Sequence, residues 1–173
     1  ALTPGQRACV LVARPYNTCD PGISLDLPRK LRKMNVLAIP IDLLDVHNAN
    51  ITEPELQAEM YWKYGQRIFR AAHIVRDDPR LNAIYISNFS CGPDSFIITL
   101  FKEIMTRELP DGTEFRKPAL VLEIDEHSAD AGVVTRLEAF HESLKAVEAH
   151  LPAASLDAPA EPSAKSPWRF SWG

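Results

Sequence analysis

Four short apolar segments alternate along the chain with longer segments that have helical periodicity. Each apolar segment predicts a β-strand, and the segments are Ala8–Ala13, Val36–Ile41, Ala83–Ser87 and Ala119–Ile124. The continuous apolar run Ala8–Ala13 is typical of a strand buried on both faces. Pro40 cannot donate a hydrogen bond to a sheet ladder. The second strand is therefore predicted to lie at an edge of the sheet or to end near the proline.

The intervening segments predict four amphipathic helices. The first spans Leu25 to Met34 and holds Pro28 near its first turn. The second follows the capping-box sequence Thr52–Glu55, ends at Asp77–Pro79, and carries apolar and small residues at helical spacing: Tyr61, Gly65, Ile68, Ala72 and Val75. The third is predicted to bury Phe96, Leu100 and Ile104. The last has an apolar stripe of Val133, Leu137, Phe140, Leu144, Val147 and Leu151.

Strands that alternate with helices indicate right-handed crossovers and a parallel sheet. We therefore predict an α/β fold with a four-stranded parallel sheet, flavodoxin-like strand order 2-1-3-4, and helices on both faces. In that order the first and third strands are neighbours, and the chain leaves them in opposite directions. Their carboxyl ends form a topological switch point, where ligands bind in open α/β sheets.

Two loops rich in turn residues line the predicted switch point. The loop Asn88–Asp94 contains Cys91, next to a predicted helix start that favours a thiolate, the form of cysteine that binds metals. The loop 14–22 contains Cys19 in a similar setting. Cys9 begins its strand and is predicted to belong to the core. The structural alternative for Cys91 is a small buried residue at a strand end.

Polar residues in the same loops are candidates for binding a ligand. Arg14 could clamp a phosphate or a carboxylate, and Asn17, Asn88 and Asp94 lie in the same predicted crevice. The alternative for Arg14 is an ion pair with Asp20 or Asp94. The alternative for the two asparagines is that they hold loop backbones together.

The loop after the fourth strand is acidic and contains a histidine. Asp125, Glu126, His127 and Asp130 resemble a metal or acid–base cluster. The alternative is a helix start that Asp130 caps while the other side chains are solvated. His73 lies in the middle of a predicted helix and is expected at its surface or boundary.

Composition limits the possible classes of function. A chain of 173 residues with 46% hydrophobic and 24% charged residues can bury one core. Its net charge of −4 argues against nucleic acid or an anionic membrane surface as a partner. No apolar run approaches the roughly 20 residues of a membrane span, and no signal-peptide pattern opens the chain. Three scattered cysteines suit a reducing cytoplasm.

Two features concern the ends of the chain. It starts without Met, so we expect it to be a piece of a longer protein. We predict an α/β domain over residues 1–151 and a disordered tail or linker over 152–173, because that segment is rich in Pro, Ala and Ser. Its final Trp168-Arg-Phe-Ser-Trp172 is unusual for a linker. It could dock on a partner, dock on this domain, or be a chance feature.

Four sequence blocks together resemble a known family. They are Arg14-Pro-Tyr-Asn17, Tyr61-Trp-Lys-Tyr-Gly-Gln-Arg67, Asn88-Phe-Ser-Cys-Gly-Pro-Asp-Ser95 and Glu123-Ile-Asp-Glu-His-Ser-Ala-Asp-Ala-Gly-Val-Val-Thr-Arg-Leu-Glu-Ala-Phe140. The family is that of the large CoA-substrate-specific enzyme activases. Those long chains join ATP-hydrolysing activator domains to a region similar to 2-hydroxyacyl-CoA dehydratase subunits. The resemblance covers almost the whole chain up to about Leu151 and is most specific in the last block.

The resemblance implies a cofactor and a partner. In dehydratase and benzoyl-CoA reductase subunits, a cysteine that matches Cys91 binds a 4Fe–4S cluster, which the activator supplies with single electrons. Cys91 is thus implied as a cluster ligand, with Cys19 and His127 as candidates for further ligands and other domains as another source. The implied partner is an ATP-hydrolysing activator domain, and a CoA thioester is a candidate ligand. The chain itself lacks the Gly-x-x-x-x-Gly-Lys-Ser/Thr motif of an ATP site.

Two other functions remain open from the sequence. The first is a docking domain that orients the activator portions and binds no cofactor. The second is a cysteine nucleophile at a helix amino-terminus, for which His127 could act as the basic partner if the fold brings it close.

Overall fold

The computed structural model describes residues 6–49, 51, 54–109 and 111–150. The strands in this part of the chain are β1 (Ala8–Val12), β2 (Leu37–Pro40), β3 (Leu81–Asn88), β4 (Thr106–Glu108), β5 (Glu114–Arg116) and β6 (Ala119–Ile124). Four of them form one sheet in the order β2-β1-β3-β6, and all its pairs are parallel. The predicted α/β fold and its 2-1-3-4 order are therefore confirmed, with β2 at an edge.

Six α-helices belong to the described residues. They are α1 (Pro15–Cys19), α2 (Leu27–Lys33), α3 (Pro54–Glu59), α4 (Lys63–Asp77), α5 (Gly92–Ile104) and α6 (Asp130–His150). One apolar cluster joins α4 and α5 to one face of the sheet, and a second joins α2 and α6 to the other face. None of the described helices combines the length and the apolar character needed to cross a bilayer.

The two central strands supply both clusters because successive side chains of a strand point to opposite faces. In β1, Val10 and Val12 join the cluster with α4 and α5, whereas Cys9 and Leu11 join the other one. All five residues of β1 are buried. Cys9 therefore belongs to the core, as predicted, and its burial raises the pKa of its thiol to about 12.

The long helix predicted after Thr52 is in fact two helices, α3 and α4, and Tyr61 between them is almost fully exposed. Met60 lies at the break, and its sulfur would lie 2.5 Å from a Cβ added at Gly65, so the close packing of its side chain requires a glycine at that position. Gln66 also donates its side-chain amide to the Met60 carbonyl at 2.6 Å, which holds the turn. Thr52 lies outside the described residues, so the predicted capping box is not tested.

Two burial predictions were wrong. Phe96 was expected in the core but is 59% exposed, because α5 faces the sheet with Ile97, Phe101 and Ile104. His73 was expected at the surface or boundary of its helix but is 1% exposed inside α4. In α6 the predicted stripe is buried from Val133 to Leu144.

The antiparallel β4–β5 pair was not predicted. Its strands have three residues each and are largely polar, so they show no apolar run. The chain returns from this pair into the core at Lys117, whose backbone N–H donates to the Met105 carbonyl at 2.9 Å.

Lys117 also ties the end of α4 to the start of β6. Its buried ammonium donates to the carbonyls of Val75 at 2.6 Å and Asp78 at 2.7 Å. A positive charge at this end of a helix complements the helix dipole. Burial nevertheless lowers the pKa of Lys117 to about 7, although Asp78 acts in the opposite direction.

This lowered pKa predicts a dependence of stability on pH. The unfolded chain holds a proton on Lys117 between about pH 7 and 10 that the folded chain releases, so stability should rise with pH. We expect the free energy of unfolding to increase by about 2 kcal/mol between pH 7 and 9, relative to the non-titrating variant Lys117→Met. Urea unfolding of both proteins at the two pH values measures this difference. If the two proteins differed in free energy of unfolding by the same amount at pH 7 and at pH 9, the ammonium of Lys117 would stay protonated in the fold.

Candidate functional site

The carboxyl ends of β1 and β3 lie side by side, with Val12 opposite Tyr85 in the parallel register. From there β3 leads into a tight turn in which the Cys91 N–H donates to the Asn88 carbonyl at 3.1 Å. Ser90 within the turn has a φ of +60°, in the left-handed region. Cys91 is the residue that caps α5. The predicted position of Cys91, between a strand end and a helix start, is confirmed.

Arg14 is the centre of this site. One of its terminal nitrogens, Nη2, donates to Asp94 Oδ2 at 2.6 Å, to Asn88 Oδ1 at 3.1 Å and to Cys91 Sγ at 3.3 Å. The side chain of Arg14 is 12% exposed and that of Asp94 is 2% exposed. The fold therefore brings together four residues selected from the sequence, and Arg14 makes one of the two ion pairs proposed for it.

Two further side chains complete the contacts of Asp94. Ser87 Oγ donates to Asp94 Oδ2 at 3.2 Å, and the buried Tyr85 hydroxyl donates to Oδ1 at 3.4 Å. Sequence reasoning missed both residues. The available signal was two polar side chains at alternate positions of a buried strand, which must face the same layer.

The ionisable side chains of this network shift one another's pKa values. Burial lowers the pKa of Arg14, but the carboxylate of Asp94 and the sulfur of Cys91 outweigh it and raise the pKa above the ordinary value. Burial, and then the negative charge of Asp94, raise the pKa of the Tyr85 hydroxyl. Arg14 thus stays charged and Tyr85 stays a hydrogen-bond donor across the physiological range.

Cys91 is in contact with polar groups at the start of α5. The side chain is half-buried, lies at a helix amino-terminus and accepts a hydrogen bond from a guanidinium. The Arg14 guanidinium also lies over the Tyr16 ring, 5.0 Å from its centroid. This position differs from that of Cys9, which is enclosed by apolar side chains.

Residues predicted as a loop around Cys19 form the short helix α1. Asn17 is buried and donates its amide to the Ile86 carbonyl at 3.4 Å, so it holds α1 against β3. This contact is the backbone-holding alternative proposed for Asn17. Cys19 is the last residue of α1 and is exposed, with its sulfur 3.6 Å from the Thr18 hydroxyl.

The acidic loop after β6 is a structured turn. Asp125 Oδ1 accepts from the His127 N–H at 3.0 Å and from Ser128 Oγ at 2.8 Å. The Ser128 hydrogen bond is the main reason that the pKa of Asp125 lies below its ordinary value. His127 is largely exposed, 3.4 Å from the Glu126 carboxylate. Asp130 is the first residue of α6 and pairs with Lys30 at 3.0 Å.

A cleft of about 380 Å³ lies beside the Arg14 network. Its walls come from the loop before α2 and from the ends of β3 and β6, and its lining residues are Gly22, Ile23, Leu25, Asn88, Phe89, Ile124, Asp125 and Glu126. Asn88 belongs both to this cleft and to the Arg14 network. The exposed Phe89 and Ile23 make much of the lining apolar.

No group of three or more His, Cys, Asp and Glu side chains within the described ranges is placed to hold a metal ion. Cys91, Cys19 and His127 therefore do not form such a group by themselves. The donor chemistry of the site fits one thiolate ligand, Cys91, supported by Arg14.

Comparisons of the chain with models of known families, with curated proteins and with solved structures found no match. The functional interpretation consequently depends on the side chains at the switch point and on the sequence blocks that contain them.

Proposed function

We propose that this domain is part of a CoA-substrate-specific enzyme activase related to 2-hydroxyacyl-CoA dehydratase, and that Cys91 is a ligand of a 4Fe–4S cluster. The observation that carries the proposal is the hydrogen bond from Arg14 Nη2 to Cys91 Sγ at 3.3 Å, at the start of α5. Thiolates are the usual ligands of such clusters, and hydrogen bonds to the sulfur tune the reduction potential. The chain thus provides both a ligand and a group that tunes it.

A cluster bound here would supply single-electron transfer. The side chains of this domain would position it: Asp94 holds Arg14, and Arg14 holds the Cys91 sulfur. Cys19 and His127 are exposed, and we propose them as further ligands together with residues of another domain. A ligand set shared between domains agrees with the lack of a complete metal-binding group among the described residues.

The same proposal names the partners and the compartment. An ATP-hydrolysing activator domain, in the same chain or complex, would deliver the electron. A CoA thioester is the proposed substrate, and the cleft that shares Asn88 with the Arg14 network is where its acyl end would lie. The described cysteines are all free, in keeping with a reducing cytoplasm.

A docking domain without a cofactor is the second candidate. The observation that favours it is the exposure of two phenylalanines, Phe89 and Phe96, on either side of the Cys91 turn. Large exposed apolar side chains that flank a site are typical of surfaces that contact another protein. Both candidates predict a partner at this edge of the sheet, and they differ in whether iron is bound.

Replacing Cys91 by Ala in the intact protein should abolish the cluster while leaving the fold unchanged. The substitution removes one sulfur from a half-buried site, so we expect a cost of about 1 kcal/mol in the free energy of unfolding. The measurement is anaerobic reconstitution with iron and sulfide, followed by absorption and electron spin resonance spectra and the ratio of iron to protein.

The matched control is Cys9→Ala, because Cys9 is a core cysteine away from the site. It should retain the full iron content. An iron-to-protein ratio that is equally unchanged in Cys91→Ala would reject the ligand role and leave the docking domain.

A further inference from the structure

The cleft beside the Arg14 network has a lining whose chemistry selects what can enter it. Its volume of about 380 Å³ is near the small end of the range of ligand pockets, so it can hold a short acyl group but not a whole CoA thioester. Four of the residues that line it are apolar: Ile23, Leu25, Phe89 and Ile124. Phe89 is 64% exposed and Ile23 is 37% exposed. An apolar group bound here would shield both side chains from water, which favours binding.

The wall made by the loop before α2 is held in one conformation. Leu25 and Asp26 have φ angles of 49° and 51°, in the left-handed region that a bulky residue rarely adopts. Residues in such conformations persist only where their surroundings hold them, and they are concentrated at ligand sites. Here the Lys30 ammonium donates to the Leu25 carbonyl and pairs with Asp130 at 3.0 Å. The cleft is therefore preformed on this side.

The opposite wall carries two negative charges. Asp125 and Glu126 directly follow β6, and the pKa of Asp125 lies below its ordinary value because Ser128 donates a hydrogen bond to it. No Lys, Arg or His is among the described residues that line the cleft. Arg14 and Lys30 contact lining residues, but each of them is already paired with an aspartate. The negative charge of this wall is thus not offset inside the cleft.

A negative charge anywhere in the cleft would be repelled by both carboxylates. A cavity of this volume is only about 7 Å across, which is less than the screening length of about 8 Å at physiological ionic strength. A carboxylate on the ligand would therefore be repelled, and it would also lose hydration among the apolar side chains. An uncharged apolar chain has neither disadvantage.

Asn88 indicates which end of a ligand faces Arg14. Its Oδ1 accepts from Arg14 Nη2 at 3.1 Å, so its amide hydrogens are what it can donate to a carbonyl in the cleft. Asn88 and Ile124 are partners in the parallel register, and Asp125 and Glu126 directly follow Ile124. A thioester carbonyl at Asn88 thus directs the acyl chain towards the apolar walls and the two carboxylates.

We propose that the cleft binds a short, uncharged, apolar acyl group of the thioester, and that Asp125 and Glu126 exclude acyl groups that end in a carboxylate. The identity of the ligand as a CoA thioester rests on the proposed function. The selectivity between acyl groups comes from the walls of the cleft itself. Asp125 and Glu126 determine specificity by repelling the wrong ligand, without holding the right one.

Binding of two matched thioesters to the 173-residue chain tests the proposal. The probes are the N-acetylcysteamine thioesters of hexanoic acid and of adipic acid. Their acyl chains have the same length and end in a methyl group and a carboxylate, respectively, and both lack the charged nucleotide of CoA. Titrations followed by NMR of the Ile and Leu methyl groups give the dissociation constants and show whether Ile23, Leu25 and Ile124 respond. We expect the adipyl thioester to bind at least about tenfold more weakly.

Asp125→Asn combined with Glu126→Gln removes both charges and keeps the hydrogen-bond acceptors. The adipyl thioester should bind this variant at least about fivefold more tightly than the unmodified chain, whereas the hexanoyl thioester should bind both equally. The matched control is Glu138→Gln combined with Glu142→Gln, which removes the same charge from exposed positions of α6 and should change neither affinity. If the loop variant fails to fold, as judged by circular dichroism, Glu126→Gln alone, at an exposed residue, should tighten adipyl binding at least about twofold.

Each remaining outcome contradicts the proposal. Equal affinities of the two thioesters for the unmodified chain, or an unchanged ratio in the loop variant, would show that the carboxylates do not select the acyl group. Shifts confined to methyl groups outside the cleft, or no binding of the hexanoyl thioester, would show that the cleft is not an acyl site. These titrations need no iron, so they can fail while Cys91→Ala still abolishes the cluster, and they can succeed where no cluster forms.

Discussion

Asp94→Ala should lower the free energy of unfolding by about 3 kcal/mol, because it leaves a largely buried guanidinium without its counter-charge. The carboxylate accepts hydrogen bonds from Arg14, Ser87 and Tyr85, and its side chain is 2% exposed. Removing it also deprives the buried Tyr85 hydroxyl of its acceptor, which adds a desolvation cost. Urea unfolding followed by circular dichroism measures the change.

A double-mutant cycle separates the ion pair from the rest of the network. Arg14→Leu combined with Asp94→Leu removes both charges and keeps apolar volume, so the double variant should be more stable than either single variant. A loss below about 1 kcal/mol in Asp94→Ala would instead show that the pair behaves like an exposed salt bridge.

Acid should destabilise the protein through His73. Its burial, and then the charges of Arg76 and Arg70, lower the pKa of the imidazole to about 3. The folded state therefore holds a neutral ring, whereas the unfolded chain takes up a proton near pH 6.5. The resulting stabilisation is complete above about pH 6.5 and is lost as the pH falls towards 3. We expect a loss of about 3 kcal/mol in the free energy of unfolding between pH 7 and 4.

The control for this prediction is His73→Gln, which keeps hydrogen-bonding capacity and does not titrate. Carboxylates whose pKa values are lowered in the fold, such as those of Asp78 and Asp125, add acid sensitivity to both proteins and cancel in the comparison. The free energy of unfolding of the unmodified protein minus that of His73→Gln should therefore decrease as the pH is lowered from 7 to 4. If the free energies of unfolding of the two proteins instead changed in parallel with pH, His73 would take up its proton at the same pH in the folded and the unfolded chain.

The fold and the position of Cys91 followed from local patterns. Continuous apolar runs such as that of β1 occur where a strand is covered on both faces, and strands that alternate with helices leave the parallel order as the natural arrangement. A turn between a buried strand and a helix places Cys91 at the carboxyl edge whatever the distant contacts are. Pro40 similarly marked β2 as an edge, because a missing N–H is tolerated only there.

The burial of individual side chains and the break in the long helix could not be predicted from local patterns in the same way. Phe96 and Ile97 are adjacent and both apolar, and only the rotation of α5 against the sheet decides which of them enters the core. His73 is buried because other elements of the fold pack around α4. Histidine as a residue type favours neither the core nor the surface. The spacing of apolar residues also gave no sign of the break at Met60, whose side chain packs against Gly65.

The sequence by itself determined the sheet order, the core cysteine and the edge at which Cys91 lies, since each depends on the period and composition of a few neighbouring residues. Only the tertiary structure decided that Arg14 contacts Cys91, Asn88 and Asp94 at once and that Tyr85 and Ser87 complete the network. Arg14 and Asp94 are separated by 80 positions, and many partners were available to each. The parallel pairing of β1 with β3 removes that freedom, because it brings the two loops to one edge and leaves the buried carboxylate of Asp94 a guanidinium to neutralise it.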